Sequence, residues 1–287
     1  MTDTVHPPAK ADQTRRNEMI DWDDAFENMA YIPGGAALPG QWAEAAGAYR
    51  AEMAKAGRLQ EDVAYGEGPR EKMDIFAPEG ESRGLMVFVH GGYWRAFDKS
   101  SWSNLARGCV ESGWTVAMPS YPLAPDARIS EITQCITRAV TVAAGQVPGP
   151  IRLSGHSAGG HLVARMMCQG VLPDDVAARL ARVTSISGLH QLGPLTAIKL
   201  NDTLRLTPEE AEAESPAGYD PLPGVPLTAW VGAQERPEFI RQTRLIEEVW
   251  GLKGADVTAV YDPGHNHFTV IGALEHTDSP LTKEILR

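Results

Sequence analysis

The sequence predicts an α/β fold built on a mostly parallel β-sheet with helices on both faces. Short apolar segments of strand length alternate with longer amphipathic segments along most of the 287 residues. The clearest strand, residues 85–89, is apolar at every position, which is typical of a strand that is buried on both faces. A parallel sheet of this kind places its functional site at the carboxyl ends of its strands.

Eight strands can be assigned in order after an alanine-rich helical region over residues 21–60. Pro33-Gly34-Gly35 and Pro39-Gly40 break that region into pieces. The first two strands are predicted to form a hairpin, and later strands follow helices. The predicted strands are residues 62–65, 72–76, 85–89, 114–118, 151–154, 183–186, 226–231 and 257–261. The predicted helices are residues 101–112, 129–146, 157–169, 174–182 and 237–250, with a last one that begins at 268–274.

The chain is expected to form one domain over residues 21–287, preceded by a flexible polar arm over residues 1–20. Residues 188–220 interrupt the strand–helix alternation with three prolines and an acidic run. This stretch is predicted to be a small, lid-like helical insertion over the sheet. No internal repeat or low-complexity segment is visible.

Charge and composition argue against several classes of function. The chain has 26 Lys and Arg against 37 Asp and Glu, and the formal net charge of −11 disfavours nucleic acids and anionic membranes. Its N-terminus lacks the apolar stretch of a secretory signal, and no apolar run approaches the ~18 residues of a membrane span. The three cysteines, Cys109, Cys135 and Cys168, are widely spaced and are interpreted as buried thiols. We therefore expect a cytoplasmic protein without disulfides, metal or cofactor.

The strongest local signal for chemistry is Gly155-His156-Ser157-Ala158-Gly159. A predicted strand runs directly into this Gly-x-Ser-x-Gly segment, and a predicted helix runs directly out of it. That context is typical of a nucleophile elbow, in which a strained turn lifts a serine hydroxyl above the sheet. Ser157 is therefore the predicted nucleophile, and the neighbouring His156 and His161 are interpreted as structural residues.

A serine hydroxyl needs a base within hydrogen-bonding distance. In elbow-containing folds the base follows the last core strand, where His265 and His267 both lie. His267 is preferred because it stands immediately before an apolar helix start, and His265 is the alternative. A His-x-His pair can also bind metal, but no Cys/His cluster accompanies it, so no metal site is predicted.

A carboxylate should orient the base and stabilise its charged form. It is expected after the preceding strand, where Glu235 lies between the strand end and the next helix. Glu238 lies one turn inside that helix, where carboxylates more often interact with solvent and the helix dipole. Asp262 is close to the histidines in sequence but lies on the wrong loop. Glu235 is preferred, and the other two remain alternatives.

Acyl transfer also needs hydrogen-bond donors for the developing oxyanion. The segment His90-Gly91-Gly92-Tyr93-Trp94 follows the strand 85–89, and glycines at this place allow backbone amides to approach the reacting oxygen. The predicted donors are the amides of Gly92 and Tyr93, or Gly91, together with that of Ala158. His90 is interpreted as a residue that orients the loop.

The pattern as a whole resembles the kynurenine formamidase (arylformamidase)-like group of α/β-hydrolases. The resemblance is carried by HGGYW at 90–94, GHSAGGH at 155–161, ERPEFIRQ at 235–242 and HNHF at 265–268. Two non-catalytic stretches add to it, FENMAYIPG at 26–34 and NDTLRLTPEEAEAESP at 201–216. Together these segments span nearly all of the chain after residue 20.

The resemblance implies an α/β-hydrolase fold and hydrolysis of N-formylkynurenine to kynurenine and formate. Carried over residue by residue, it implies Ser157 as nucleophile, Glu235 as acid and His267 as base. The group commonly has Asp where this chain has Glu235, and Glu serves in other hydrolases of the fold.

Three functional hypotheses follow. The first is a serine hydrolase that cleaves a small aryl formamide through an acyl-enzyme. The second is a short-chain carboxylesterase, and the third is a binding protein that keeps the fold without catalysis. Tyr93, Trp94 and Asn201 are expected to form the wall for an aromatic group, with core packing as the alternative for Trp94. A small-molecule substrate is the expected partner, and a homodimer is left open.

Overall fold

The structure is a computed structural model that describes residues 20–287. The predicted arm over residues 1–20 lies outside the described residues, apart from its last position. Among the described residues, no helix is both long enough and apolar enough to cross a membrane.

One eight-stranded sheet forms the centre of the fold. Its strands are β1 (Leu59–Ala64), β2 (Lys72–Phe76), β3 (Leu85–Val89), β4 (Thr115–Pro119), β5 (Ile151–His156), β6 (Leu180–Ile186), β7 (Leu227–Gly232) and β8 (Val257–Asp262). They follow the spatial order β1-β2-β4-β3-β5-β6-β7-β8. β2 is antiparallel to β1 and β4, and every other neighbouring pair is parallel. The prediction of a mostly parallel, eight-stranded sheet is confirmed.

Helices cover both faces of the sheet. The α-helices are α1 (Trp22–Phe26), α2 (Leu38–Lys55), α3 (Arg107–Glu111), α4 (Ile129–Gln146), α5 (Ala158–Met166), α6 (Asp174–Ala177), α7 (Asn201–Leu204), α8 (Pro208–Ala213), α9 (Pro237–Leu252) and α10 (Pro280–Leu286). Short 3₁₀ helices lie at Met29–Tyr31, Gly35–Ala37, Lys99–Ala106, Gly193–Ala197, Pro216–Gly218 and Val270–Glu275.

The residues of β3 explain why the sheet needs cover on both sides. Leu85, Val87 and Val89 pack into one apolar cluster, to which α4, α5 and α9 also contribute. Met86 and Phe88 point the other way, into a second cluster with residues from α2, α3 and α10. Because successive side chains of a strand alternate between faces, a wholly apolar strand is stable only between two layers of helix.

Three predicted helical segments differ from the structure. The helix expected over residues 174–182 ends early at Ala177, because Leu180 already pairs with Ile151 in the parallel ladder. The helix expected over residues 101–112 is instead a 3₁₀ helix followed by the short α3. The last predicted helix is a 3₁₀ helix from Val270, and α10 follows it without having been predicted. In each case tertiary packing overrides the local periodicity.

All three cysteines are buried free thiols, as predicted. Burial raises the pKa of Cys109 to about 12 and that of Cys168 to about 11. Since the thiolate is the reactive form, neither thiol is suited to nucleophilic chemistry at neutral pH.

Candidate active site

One cavity of about 370 Å³ lies at the carboxyl ends of β3, β5 and β8. The candidate nucleophile Ser157 and the candidate base His267 both line it. The complete lining is Phe26, Glu27, Asn28, Met29, Trp42, Gly92, Tyr93, Arg95, Ala96, Phe97, Trp102, His156, Ser157, His267 and Phe268. The site therefore lies where a parallel sheet is expected to place it.

Ser157 occupies a strained turn between β5 and α5. Its backbone has a positive φ of +55°, with ψ of −115°. Its N–H donates a hydrogen bond of 2.8 Å to the carbonyl of Ile186 at the end of β6, which ties the turn to the neighbouring strand. A non-glycine residue in this conformation is strained, and such strain concentrates at functional sites.

The two motif glycines are required by close packing around this turn. A Cβ on Gly155 would lie 2.3 Å from the carbonyl oxygen of Gly159. A Cβ on Gly159 would lie only 1.9 Å from the carbonyl oxygen of Val89 on β3. Neither position can accept a side chain without a backbone shift, so the Gly-x-Ser-x-Gly spacing follows from the geometry of the turn.

Glu235 and His267 form a buried pair next to the cavity. Glu235 lies between β7 and α9, and His267 lies in the loop after β8. His267 Nδ1 donates to Glu235 Oε2 at 2.7 Å, and the side chains are 3% and 0% exposed. Because Nδ1 carries the proton in this arrangement, Nε2 of the neutral imidazole is the nitrogen that can accept one.

Two further donors hold the other oxygen of the Glu235 carboxylate. Oε1 accepts a hydrogen bond of 2.6 Å from the Ser187 hydroxyl and one of 2.8 Å from the Gly232 N–H. The carboxylate is thus fixed by three donors. Ser187 was not singled out by the sequence analysis, because a lone serine after a strand carries no recognisable signal.

The structure places the alternative residues in other interactions. Glu238 accepts two hydrogen bonds of 2.7 Å from Arg241 and one from Gln242. Asp262 accepts from the indole N–H of Trp230 at 3.1 Å. His265 contacts Thr269 Oγ1 at 3.3 Å and does not line the cavity. Only Glu235 and His267, among the candidates, are paired with each other.

The loop over residues 90–97 packs directly against the elbow. A Cβ on Gly91 would lie 2.9 Å from the carbonyl oxygen of His156, so only glycine permits this approach. Gly92, Tyr93 and Trp94 all have positive φ, at 112°, 49° and 54°. The N–H groups of Gly92, Tyr93 and Ala158 have no acceptor among residues 20–287. Free amides beside the elbow suit the stabilisation of an oxyanion.

Trp94 and Asn201 do not contact the cavity, and their expected role in substrate binding is corrected. Trp94 is fully buried, with its ring 5.2 Å from that of His161 in an edge-to-face contact, so the core-packing alternative applies. The Asn201 side chain bridges its own loop, accepting from Leu206 N–H at 2.8 Å and donating to the Leu206 carbonyl. Nothing from residues 188–220 lines the cavity, so this insertion does not act as its lid.

The N-terminal segment covers the cavity instead. Residues Phe26–Met29 and Trp42 line it, and the Tyr93 hydroxyl donates to the Phe26 carbonyl at 2.6 Å. Outside the cavity, Arg236 forms an ion pair with Asp24. The stretch 26–34 contributes to the family resemblance, and Trp42 lies in the region predicted to be helical. However, no local pattern indicates that these residues reach the end of a strand more than forty positions later.

Six of the fifteen residues that line the cavity are Phe, Trp or Tyr. The Trp42 ring lies 4.7 Å from that of Trp102, 5.2 Å from Phe268 and 5.9 Å from Phe97. Rings at these separations pack favourably and leave a rigid apolar surface. The cavity is therefore suited to a flat aryl group held beside Ser157.

Four further histidines are buried, and one of them, His156, also lines the cavity. His156 Nε2 donates to the His267 carbonyl at 2.8 Å, which positions the candidate base through its backbone. The His90 ring is stacked on Tyr121 at 4.3 Å. Burial lowers the pKa of His90 and of His190 to about 4 and that of His161 to about 3. Burial also holds the pKa of His156 well below its usual range. All four rings are therefore neutral at pH 7.

Because the pKa values of these histidines are lowered, we expect the protein to lose stability steeply in mild acid. Their pKa values in the folded protein lie below the usual 6.5, so the unfolded chain binds protons that the folded chain does not. The contribution of these histidines to the free energy of unfolding is complete above pH 6.5 and falls as the pH decreases toward 4. Four such groups are expected to lower the free energy of unfolding by about 5 kcal/mol between about pH 7.5 and 5.5. Urea unfolding across this range measures the loss, and a constant midpoint would contradict the assignment of neutral rings.

Comparison with known proteins places the chain in a family. A family model described as the alpha/beta hydrolase fold matches residues 86–215. A solved structure of a candidate thioesterase from Silicibacter sp. TM1040 is 47% identical, with a TM-score of 0.88, and covers 93% of this chain and 100% of that one. An esterase from Pyrobaculum calidifontis is 16% identical with a TM-score of 0.65 over 88% of this chain and 92% of that one, which shows the shared fold alone.

The chain belongs to the α/β-hydrolases and is a hydrolytic enzyme. Two curated relatives are more specific. Kynurenine formamidase of Salmo salar is 29% identical, and that of Danio rerio is 28% identical, each over 79% of this chain and 80% of the relative. Within its family the protein is thus arylformamidase-like.

Proposed function

We propose that the protein is a serine hydrolase that cleaves a small aryl formamide, N-formylkynurenine, to kynurenine and formate. The observation that carries this proposal is the buried hydrogen bond between Glu235 and His267 on the wall of an aromatic cavity that also contains the strained Ser157. The curated relatives named kynurenine formamidase support the choice of substrate.

In the first half-reaction, Ser157 Oγ attacks the formyl carbon while His267 Nε2 takes the hydroxyl proton. Negative charge develops on the formyl oxygen, where the amides of Ala158 and of Gly92 or Tyr93 donate hydrogen bonds. One such donor contributes about 10²–10³ in rate. Glu235 stabilises the imidazolium that forms.

Collapse of this intermediate breaks the carbon–nitrogen bond. His267 gives its proton to the departing aryl amine, and the formyl group remains as an ester on Ser157. A water molecule then attacks the ester while His267 takes its proton. The carbon–oxygen bond to Ser157 breaks, His267 reprotonates the serine, and formate leaves. This sequence consumes one water and restores the enzyme.

A carboxylesterase is the second candidate, because the solved structures of similar fold include esterases. Its chemistry would use the same residues, so only the leaving group separates the two functions. The proposed binding partner of the protein is a small-molecule substrate. The buried free thiols fit a reducing compartment, and a cytoplasmic location is part of the proposal.

A comparison of kcat/KM for N-formylkynurenine and for p-nitrophenyl acetate tests the proposed substrate. Because the aromatic wall is expected to hold the aryl amine beside Ser157, the formamide should be preferred by about tenfold or more, even though p-nitrophenolate is the better leaving group. An ester preference of orders of magnitude would reject the formamidase and favour the esterase.

A further inference from the structure

The cavity carries one cationic and one anionic side chain among its aromatic residues. Arg95 and Glu27 both line it, and both are exposed. Within residues 20–287, neither forms an ion pair. Glu27 only accepts a weak hydrogen bond of 3.2 Å from the N–H of Ala30. Charged side chains that line a cavity without an ion-pair partner are available to a ligand.

The backbone that presents Arg95 is held in place. The N–H of Arg95 donates to the Gly92 carbonyl at 3.0 Å, within the turn that follows the glycines. The preceding Trp94 is fully buried, and Arg70 donates to the carbonyl of Phe97 on the other side. A fixed backbone with an unpaired guanidinium suits recognition of an anion at a defined distance from Ser157.

Asn28 adds a polar group to the same wall. Its side chain lines the cavity and is 6% exposed, and its Nδ2 has no hydrogen-bond partner among the described residues. An unsatisfied donor in a buried position is uncommon, and a ligand oxygen would satisfy it. Three polar side chains, from residues 27, 28 and 95, therefore converge on a cavity that is otherwise lined mainly by aromatic and backbone groups.

We infer that Arg95, Glu27 and Asn28 form a subsite for an α-amino-acid group, so that the cavity accepts aryl amino acids as zwitterions. Arg95 pairs with the ligand carboxylate, to which Asn28 also donates, and Glu27 pairs with the ammonium group. The aromatic wall holds the aryl ring. The inference deepens the proposed function and rests on it only in that the ligand binds beside Ser157.

The test uses inhibition of p-nitrophenyl acetate hydrolysis by two matched ligands. L-Kynurenine carries the α-amino-acid group, and 2′-aminoacetophenone is the same aryl ketone without it. In the unaltered enzyme, L-kynurenine is expected to inhibit with a Ki lower by about tenfold or more, since each charge-assisted contact contributes binding energy. Equal Ki values for the two ligands would overturn the inference.

Two variants test which side chain binds each charged group of the ligand. Arg95→Gln is expected to reduce the ratio of the two Ki values about tenfold. Glu27→Gln keeps the acceptor for Ala30 and is expected to reduce the ratio severalfold. Arg244→Gln is the matched control, because Arg244 is also an exposed arginine without an ion pair in the described part of the chain and does not line the cavity. A ratio unchanged in Arg95→Gln, or reduced equally in Arg244→Gln, would reject the subsite.

This design separates the inference from the proposed function. If N-formylkynurenine is not hydrolysed but L-kynurenine still inhibits ester turnover through Arg95, the formamidase function fails and the subsite stands. If N-formylkynurenine is hydrolysed but the two ligands bind equally, the function stands and the subsite fails.

Discussion

Replacing Ser157 with alanine is expected to reduce kcat by about 10⁵-fold or more, because removal of a nucleophilic serine leaves only binding and oxyanion stabilisation. The substitution should not affect folding. Within the described part of the chain the Ser157 hydroxyl makes no hydrogen bond, and the turn is held by the backbone bond to Ile186 and by the packing of the motif glycines. Steady-state kinetics with N-formylkynurenine and with p-nitrophenyl acetate measure the loss.

Ser154→Ala provides a matched control on β5, the strand that leads into the turn of Ser157. The Ser154 hydroxyl is also buried and has no hydrogen-bond partner among the described residues. Its removal costs no interaction, so kcat should stay within a few-fold of the unaltered enzyme. If Ser157→Ala retained activity comparable to this control, the nucleophile would lie elsewhere.

Replacing Glu235 with glutamine is expected to lower kcat by about 10⁴-fold. Losses of this size follow when the carboxylate that sets the tautomer of a catalytic histidine is removed. The carboxylate accepts from His267 on one oxygen and from Ser187 and Gly232 on the other. An amide has only one accepting oxygen. If its NH₂ faces His267, Nδ1 must accept and the ring proton moves to Nε2. That nitrogen then cannot take the serine proton. If its NH₂ faces Gly232, two donors meet and a buried N–H loses its partner.

Two further variants sharpen this result. Glu235→Asp keeps both accepting oxygens but shortens the side chain, so a smaller loss of about 10–10²-fold is expected. Glu238→Gln should leave kcat within a few-fold, since Glu238 interacts with Arg241 and Gln242 rather than with the histidine. If Glu238→Gln were the more damaging change, the assignment of the acid would have to move to Glu238.

Much of the fold follows from local patterns because burial on both faces constrains sequence strongly. The wholly apolar β3 and the glycines around Ser157 leave few alternatives. Chain order then places Glu235 after one strand end and His267 after the next, and parallel strands bring those ends together. The structure accordingly pairs these two side chains and places His267 and Ser157 on one cavity wall.

The walls of the cavity could not be predicted in the same way. Phe26, Asn28 and Trp42 reach it from a segment that precedes the sheet, and their positions depend on tertiary contacts such as the bond from Tyr93 to the Phe26 carbonyl. Tertiary contacts of this kind leave no periodic pattern in the sequence. The same reason explains why residues 188–220 were predicted to be the lid although they do not line the cavity.

Covalent labelling tests the central proposal, that Ser157 is activated by His267 and Glu235. Intact mass spectrometry after reaction with a fluorophosphonate, followed by peptide mapping, should show one adduct per chain, located on Ser157. Ser157→Ala should not react, and Glu235→Gln should react far more slowly because its histidine cannot accept the proton. An unaltered enzyme that does not react, or an adduct on any other residue, would contradict the proposed mechanism.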